Sequence, residues 1–353
     1  MGKDRSKFIC RKSNEKRKRK KDLHQQFYER LTSMIAFGES KKEAKKNEEG
    51  IKEKIYSKAT YDTYKKQIRY FEKWLKKEHP EVQDLEEARE YVSEWLVTRA
   101  LSIDKNGKGL SAWTLNLEAA ALNKLFGISK DDPDRYTPPE RRRVDIKRSR
   151  GAVEYDRHFS ERTHEELVNF CKGTGCRRGI LERLRGKDLL TQAEVKLKLA
   201  EAEKKCDIKM ARACKEAVDY FPDREFFLIH EGDKGGKTRI APIIGDHVSA
   251  IVERMRHTAA DDLVWQHVPK ACDVHGYRAQ YATALYKEIA RPLNELRYER
   301  KVKCADGKFR SEIYVCRADE VGKRLDRKAV AVVSRALGHS REDTAITNYI
   351  RNI

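Results

Sequence analysis

Residues 337–349 of this chain read Leu-Gly-His-Ser-Arg-Glu-Asp-Thr-Ala-Ile-Thr-Asn-Tyr, and they carry more information than any other stretch. The Leu-Gly-His triplet is typical of a short turn, because glycine adopts backbone angles that other residues avoid. Tyr349 follows ten positions after His339, and four residues come after it in this sequence. A tyrosine in this setting, in a strongly basic protein, predicts a nucleophile rather than a core aromatic.

The charge of the chain indicates the kind of partner. The 353 residues include 77 Lys and Arg against 57 Asp and Glu, which gives a formal net charge of +20. Such an excess favours a polyanion, since neutralising phosphates releases condensed counterions. No run approaches the roughly 18 apolar residues that a membrane span needs. We therefore expect nucleic acid as the partner and no membrane.

The eight cysteines do not indicate a metal site or a disulfide framework, because none of them forms a Cys-x-x-Cys pair. We expect reduced thiols, no metal and no cofactor.

The composition divides the chain into three parts. Residues 1–21 hold eleven Lys or Arg against two acidic residues, and such blocks are usually disordered or act as nucleic-acid arms. We expect a basic N-terminal arm over residues 1–50, partly disordered or helical, a small helical domain over 51–150 and a larger domain over 151–353. The predicted fold is mainly α with a small antiparallel sheet.

The domain over 51–150 shows helical spacing of apolar residues in three places. The pattern predicts helices near residues 60–75 and 85–101, and a third from Ser111 as its N-cap to Gly127. After them, a proline- and arginine-rich stretch over 131–150 predicts an exposed linker that could follow a phosphate backbone. The candidate DNA contacts of this region are Lys65, Lys66, Arg141, Arg142 and Arg143.

The larger domain mixes helices with hairpins. A helix is predicted from Ser160, and residues 191–221 are almost wholly helical in pattern and look inserted. The alternation over 226–243 predicts a β-hairpin, and a second hairpin is predicted over 301–317, turning at Asp306-Gly307.

Four upstream residues could surround a phosphate. Arg177 follows a Thr-Gly pair at a predicted helix start, where backbone N–H groups already favour an anion. Lys234 lies at the tip of the first hairpin, and His275 and Arg278 share one face of a helix because they are three residues apart. Each residue alone also fits an ordinary role as a surface charge, a solvated turn lysine or a structural histidine.

Their order is more specific than any single residue. An arginine, a hairpin lysine, His-x-x-Arg, Leu-Gly-His and a tyrosine, in that order, resemble the tyrosine recombinase (lambda-integrase type) family over roughly residues 155–353. Residues 51–150 resemble the helical, SAM-like core-binding domain of that family, and 151–353 its mixed α/β catalytic domain. The catalytic set that the resemblance implies is Arg177, Lys234, His275, Arg278, His339 and Tyr349.

On this resemblance Tyr349 forms a 3′-phosphotyrosine with DNA, and Arg177 and Arg278 hold the nonbridging oxygens. Lys234 would protonate the 5′-oxygen leaving group, and the two histidines would bind the phosphate or take the tyrosine proton. These residue types suit the chemistry, since guanidinium groups stabilise the charge that a phosphodiester gains in its transition state. A tyrosine hydroxyl, with an ordinary pKa of about 10, needs help to ionise. The leaving alkoxide needs a proton donor.

The implied function is site-specific recombination by the integrase of a mobile element, acting as a homotetramer on double-stranded DNA. The implied location is the cytoplasm, in association with the bacterial nucleoid. An accessory directionality or DNA-bending protein is a further possible partner. The alternatives are Xer-like dimer resolution, a type IB topoisomerase and a catalytically idle DNA-binding relative. A nucleotide hydrolase is a weaker alternative, because the Gly-Lys-Thr-like stretch over 234–238 has Glu231 where that loop needs glycine.

Three features depart from the family pattern. Ile180 stands where the family usually has an acidic residue, with Glu182 two positions further on. The stretch 191–221 lengthens the interval between Arg177 and Lys234. Many relatives carry a longer tail that docks on the next subunit, so we expect coupling between subunits to use another region, such as residues 287–325.

Overall fold

The computed structural model describes residues 21–47, 53–141, 159–233, 236–304, 307–317, 321–339 and 341–350. Three of the predicted functional residues, Arg142, Arg143 and Lys234, lie outside these described residues. The chain divides into two compact units, Met1–Asp145 and Ile146–Ile353. About half of the chain is helical and the strands form small antiparallel sheets, so the prediction of a mainly α fold with a small antiparallel sheet is confirmed.

The described part of the first unit is helical. Its helices are α1 (Leu23–Ser33), α2 (Lys41–Lys46), α3 (Lys58–Glu78), α4 (Leu85–Glu90), α5 (Val92–Leu101) and α6 (Ala112–Phe126). The start of α6 is as predicted, because the Ser111 side chain accepts a hydrogen bond from the Thr114 N–H at 3.2 Å. The single helix predicted over 85–101 was wrong, since the chain breaks at Tyr91 between α4 and α5.

The core of the first unit includes part of the predicted N-terminal arm. Phe27 and Leu31 of α1 are buried in the same cluster as Phe71 of α3 and Leu122 of α6. The expected boundary near residue 50 therefore does not separate α1 from the helical domain that follows it.

The second unit contains helices and seven short strands among its described residues. They are α7 (Glu165–Thr174), α8 (Arg178–Leu181), β1 (Leu189–Thr191), α9 (Gln192–Lys204), α10 (Ile208–Tyr220), β2 (Phe226–Asp233), β3 (Lys237–Pro242), α11 (Val248–His257), α12 (Val274–Ile289), β4 (Lys301–Lys303), β5 (Phe309–Ser311), β6 (Ile313–Val315), β7 (Arg324–Asp326), α13 (Arg327–Ala336) and α14 (Glu342–Asn348).

One helix of this unit starts later than predicted, and the predicted helical stretch over 191–221 contains a break. The helix expected from Ser160 begins at Glu165, and Ser160 instead closes a turn by accepting a hydrogen bond from the Thr163 N–H at 3.3 Å. The stretch 191–221 is almost wholly helical, as predicted, and consists of two packed helices, α9 and α10. The chain breaks between them at Cys206, whose φ of 55° is left-handed and cannot continue a helix.

The predicted hairpins are present. Strands β2 and β3 pair antiparallel, and β1 joins the other edge of β2 to give a three-stranded sheet. Strands β4 and β5 pair within the stretch predicted as a second hairpin. The pairing of β6 with β7 was not predicted, because strands of three residues are too short to show a clear alternation.

Both faces of the three-stranded sheet are covered. Phe227 and Ile229 of β2 join a core that includes α12 and α13, whereas Leu228 between them joins a second core with α7 and α11. Successive side chains of a strand point to opposite faces, so one apolar run serves both cores. Tyr349 is buried in the first of these cores. The sheet and these helices therefore hold the end of α14 in a fixed place.

Candidate active site

The Leu-Gly-His turn ends helix α13 in a defined hydrogen-bond pattern. The His339 N–H donates to the Ser334 carbonyl at 2.8 Å, and the Gly338 N–H donates to the Arg335 carbonyl at 2.7 Å. This is the Schellman motif, which needs a left-handed residue, and Gly338 has φ of 71°. A Cβ at position 338 would lie 2.9 Å from Cδ of Arg239. Glycine is therefore required here for its backbone angle and for the space it leaves.

The carbonyls that this turn leaves exposed at the end of α13 accept from three arginines. Arg177 Nη2 donates to the Leu337 carbonyl at 3.2 Å, and Arg278 Nη2 donates to the same oxygen. Arg239 Nη1 donates to the Ala336 carbonyl. The negative end of a helix dipole lies at these carbonyls. The three guanidinium groups consequently converge on one point, although they come from different elements.

Asp233 at the end of β2 is the carboxylate that links two of these arginines. Its Oδ2 accepts from Arg177 Nη1 and, at 3.2 Å, from Arg239 Nε. Ile180, which occupies the position of the expected acid, is buried in the apolar core that includes α7. The carboxylate partner of Arg177 therefore comes from the hairpin, 56 residues away in sequence.

Arg278 is fully buried, with a relative exposure of 0%. It donates to the Gly175 carbonyl and the Leu337 carbonyl, while its Nε has no hydrogen-bond partner among the described residues. Burial lowers the pKa of Arg278 to about 9, and Arg239 and Arg177 act in the same direction. A bound anion would stabilise the charged form of Arg278 and raise its pKa again, so the surroundings of Arg278 favour an anionic ligand.

Tyr349 lies directly after α14 and is in contact with three predicted site residues. Its ring centroid is 5.0 Å from that of His275 and 5.3 Å from that of His339. The guanidinium carbon of Arg278 is 5.3 Å from the Tyr349 ring centroid. Thr283 of α12 donates to the Tyr349 carbonyl at 3.3 Å. The tyrosine is therefore held by α12 and by the turn after α13.

The histidines around the arginines are neutral for an electrostatic reason. Burial lowers the pKa of His339 to about 3, with further contributions from Arg278 and Arg177. Burial and Arg239 likewise lower the pKa of His230, which lies under the site on β2. His339 Nε2 has no hydrogen-bond partner among the described residues. A neutral imidazole has a lone pair for the tyrosine proton, and a bound phosphate would raise the pKa of His339 and so strengthen it as a base.

Lys237 of β3 is a second hairpin lysine beside the site. Its Nζ donates to the Gly338 carbonyl at 3.2 Å. Burial lowers the pKa of Lys237, and Arg335 and Arg177 act in the same direction. An ammonium group with a lowered pKa is a better proton donor than an ordinary lysine. Lys234, the lysine predicted for this role, lies outside the described residues.

Five of the six predicted catalytic residues are described, and they come together around Leu337–Tyr349. Sequence reasoning did not identify Asp233, His230, Arg239 or Lys237. One signal could have found two of them: His230 and Arg239 are cross-strand partners in the predicted hairpin, each beside apolar residues. A polar pair in such a strand points to a buried site.

The cationic side chains predicted to contact DNA in the first unit lie over aromatic rings. The Lys65 Nζ lies 4.8 Å from the Tyr28 ring centroid, and the Lys66 Nζ lies 6.0 Å from that of Tyr70. The guanidinium carbon of Arg141 lies 5.0 Å from the Trp113 ring. Contacts of this kind leave a cation able to bind a phosphate.

The described residues contain no group of three or more His, Cys, Asp or Glu side chains placed to hold a metal ion. Within the same ranges, no helix combines the length and apolar character needed to cross a membrane. No family model matches the chain, and none of the curated proteins matches its sequence.

Proposed function

We propose that this protein is a site-specific tyrosine recombinase that cuts and rejoins DNA through a 3′-phosphotyrosine on Tyr349. The observation that carries the proposal is the contact of the Tyr349 ring with His275, His339 and Arg278. A buried tyrosine between two imidazoles and a guanidinium group has what phosphoryl transfer requires, a nucleophile, a base and a charge stabiliser.

The proposed step transfers a phosphoryl group and conserves its bond energy. Tyr349 Oη attacks phosphorus, the phosphorus–5′-oxygen bond breaks, and the tyrosine proton passes to His339 or His275. Arg177 and Arg278 stabilise the nonbridging oxygens, and a hairpin lysine protonates the departing 5′-oxygen. Attack by the 5′-hydroxyl of a second strand reverses these transfers and reseals the DNA without ATP.

In this proposal the second unit is the catalytic domain, and the helical first unit is a core-binding domain on the same duplex. Lys65, Lys66 and Arg141 of the first unit would contact phosphates, which position a protein without reading sequence. Four protomers would assemble on two DNA segments. Integration and excision of a mobile element is the biological role that we favour.

Covalent attachment to DNA tests the proposal. A binding duplex is first selected from a random pool and then nicked near each candidate phosphate, so that the freed fragment diffuses away and the intermediate accumulates. We expect a denaturation-resistant protein–DNA adduct whose peptide map contains Tyr349. The Tyr349→Phe variant should bind the duplex and form no adduct.

The matched control is Tyr220→Phe, which removes a partly exposed hydroxyl on α10 and should leave attachment unchanged. Attachment that persists in Tyr349→Phe would exclude Tyr349 as the nucleophile. Binding without any adduct in the wild-type protein would favour a catalytically idle DNA-binding relative. Relaxation of supercoiled plasmid without strand exchange would favour a topoisomerase.

A further inference from the structure

A basic groove lies away from Tyr349, on the segment that connects α12 to α13. We propose that this groove is a second binding site for the DNA phosphate backbone, a few base pairs from the cleaved phosphate. The inference rests on the proposed function for its ligand, duplex DNA, and it adds a contact surface that the catalytic residues do not include.

The groove has a volume of about 470 Å³, and the charged side chains among its described lining residues are all positive. Among the described residues that line it there is no Asp or Glu, and four are cations. Those cations are Lys301, Arg310, Arg317 and Arg327. Tyr298 and Tyr314 also line the groove, and tyrosine hydroxyls donate to phosphate oxygens in DNA complexes.

Two of the cations are available to a ligand. Lys301 and Arg317 are exposed, and within the described ranges neither forms an ion pair. Lys301 lies over the Tyr298 ring, with Nζ 5.6 Å from the centroid. A contact of this strength is weaker than a phosphate pair, so DNA can displace it.

Two acidic residues of the same segment, Glu312 and Asp326, are buried. Glu312 has a relative exposure of 0% and accepts from the Arg297 N–H at 2.6 Å and from Arg291 Nη1 at 3.1 Å. Asp326 is 1% exposed and accepts from Arg291 Nε at 2.9 Å. These two carboxylates contact Arg291, and among the described residues neither of them pairs with Lys301 or Arg317 of the groove. Four cations that line one groove, with no carboxylate among the described lining residues, create a positive potential that attracts a polyanion.

The groove is connected through Arg327 to both α13 and α14, the two helices that precede Tyr349. Arg327, at the start of α13, donates from Nη1 to Glu342 of α14 at 3.2 Å. The other end of α13 holds the carbonyls that Arg177, Arg239 and Arg278 bind. The ten residues of α13 span about 15 Å, or roughly four base pairs of duplex axis. A single duplex can therefore reach both the groove and Tyr349.

The test is the salt dependence of duplex binding by the Lys301→Ala/Arg317→Ala variant. Each lost phosphate contact lowers the slope of log affinity against log salt by about 0.9. We expect the slope to fall by about 2 and the affinity to fall at least tenfold near 0.15 M salt. Covalent attachment at saturating DNA should keep its wild-type rate, because neither residue contacts Tyr349.

The control is Lys196→Ala/Lys209→Ala, which removes the same charge from exposed positions on α9 and α10. Equal changes in slope for the two double variants would overturn the proposal. Methylphosphonate substitution about three to five base pairs from the cleaved phosphate should weaken wild-type binding and leave the groove variant unaffected. If neutralising those phosphates weakens both proteins equally, the groove does not contact them.

These results separate the two proposals. If the wild-type protein forms no adduct but the groove variant still shows a weaker salt dependence, the recombinase activity is refuted and DNA binding by the groove is supported. If the wild-type protein forms the adduct and the groove variant binds DNA normally, only the proposed DNA binding by the groove is refuted. If the groove variant loses affinity for single-stranded RNA and not for duplex DNA, duplex DNA is not the ligand of the groove.

Discussion

The carboxylate of Asp233 accepts a hydrogen bond from the guanidinium group of Arg177. The same oxygen accepts from Arg239 at 3.2 Å, so one buried carboxylate fixes two cations. Both Asp233 and Arg239 are 4% exposed. In the sequence, Asp233 immediately precedes Lys234, the lysine proposed as the leaving-group acid.

Replacing Asp233 should therefore impair catalysis and folding together. In Asp233→Asn, Arg177 loses its charged partner and Arg239 remains buried without a carboxylate. We expect the single-turnover rate of attachment to fall on the order of 10²-fold, as for loss of one aligned group at a charged transition state. The free energy of unfolding should fall by about 3 kcal/mol, as for other broken buried pairs.

Two further variants separate positioning from a general loss of charge. Asp233→Glu keeps the carboxylate and should recover part of the attachment rate. Glu231→Gln removes an exposed carboxylate two residues away and should match the wild type. If Asp233→Asn attaches DNA at the wild-type rate once folded, Asp233 does not position the arginines.

The sequence predicted several of the residues that lie around Tyr349, but it did not predict the residues that hold Arg177 in place. His275 and Arg278 were placed together by helical spacing, and the turn at Gly338 followed from the glycine itself. Asp233 and Arg239 were not predicted, because their contact depends on a bulge between His230 and Asp233 that shifts the strand register. A bulge of this kind has no reliable signature in a single sequence.

Element boundaries failed where two local signals competed. Ser160 looked like an N-cap and instead closes a turn, since a serine side chain satisfies either arrangement. The break at Cys206 carries no glycine or proline, so the sequence over 191–221 does not mark where α9 ends and α10 begins. The four-residue spacing of apolar side chains is the same in one long helix and in two packed ones.

His339 should make the protein less stable in mild acid. Its pKa is about 3 in the folded protein, against about 6.5 for an ordinary histidine. Between these values the unfolded chain binds the proton and the folded protein does not, so the free energy of unfolding decreases as pH falls below about 6.5. In His339→Gln this dependence should weaken by about one proton, measured by urea unfolding at several pH values.

Part of the acid dependence should remain in that variant, because burial also lowers the pKa of His230. The control is His247→Gln, which changes an exposed histidine at the start of α11 and should retain the full wild-type dependence. An identical pH dependence in His339→Gln and the wild type would contradict the lowered pKa.

Gly175 should tolerate no side chain. It has φ of 56°, and a Cβ there would lie 2.4 Å from the Tyr281 ring. Its carbonyl also accepts from Arg278. Gly175→Ala should cost about 1–2 kcal/mol for the backbone angle and a similar amount for overpacking. Gly245 has φ of 83° and no atom within 4 Å of a new Cβ, so Gly245→Ala should cost only the amount for the backbone angle, about 1–2 kcal/mol. Equal urea midpoints for the two variants would show that Tyr281 moves aside without cost.

The two hairpin lysines should respond differently to the leaving group. A substrate with sulfur in place of the bridging 5′-oxygen departs as a thiolate, which needs no proton at neutral pH because thiols have a pKa of about 8.5. If Lys234 is the acid, Lys234→Ala should be slow on the oxygen substrate and close to the wild type on the sulfur substrate. Lys237 donates to the Gly338 carbonyl, so Lys237→Ala should lose rate on both substrates alike. Rescue of Lys237→Ala by sulfur, without rescue of Lys234→Ala, would transfer the acid role to Lys237.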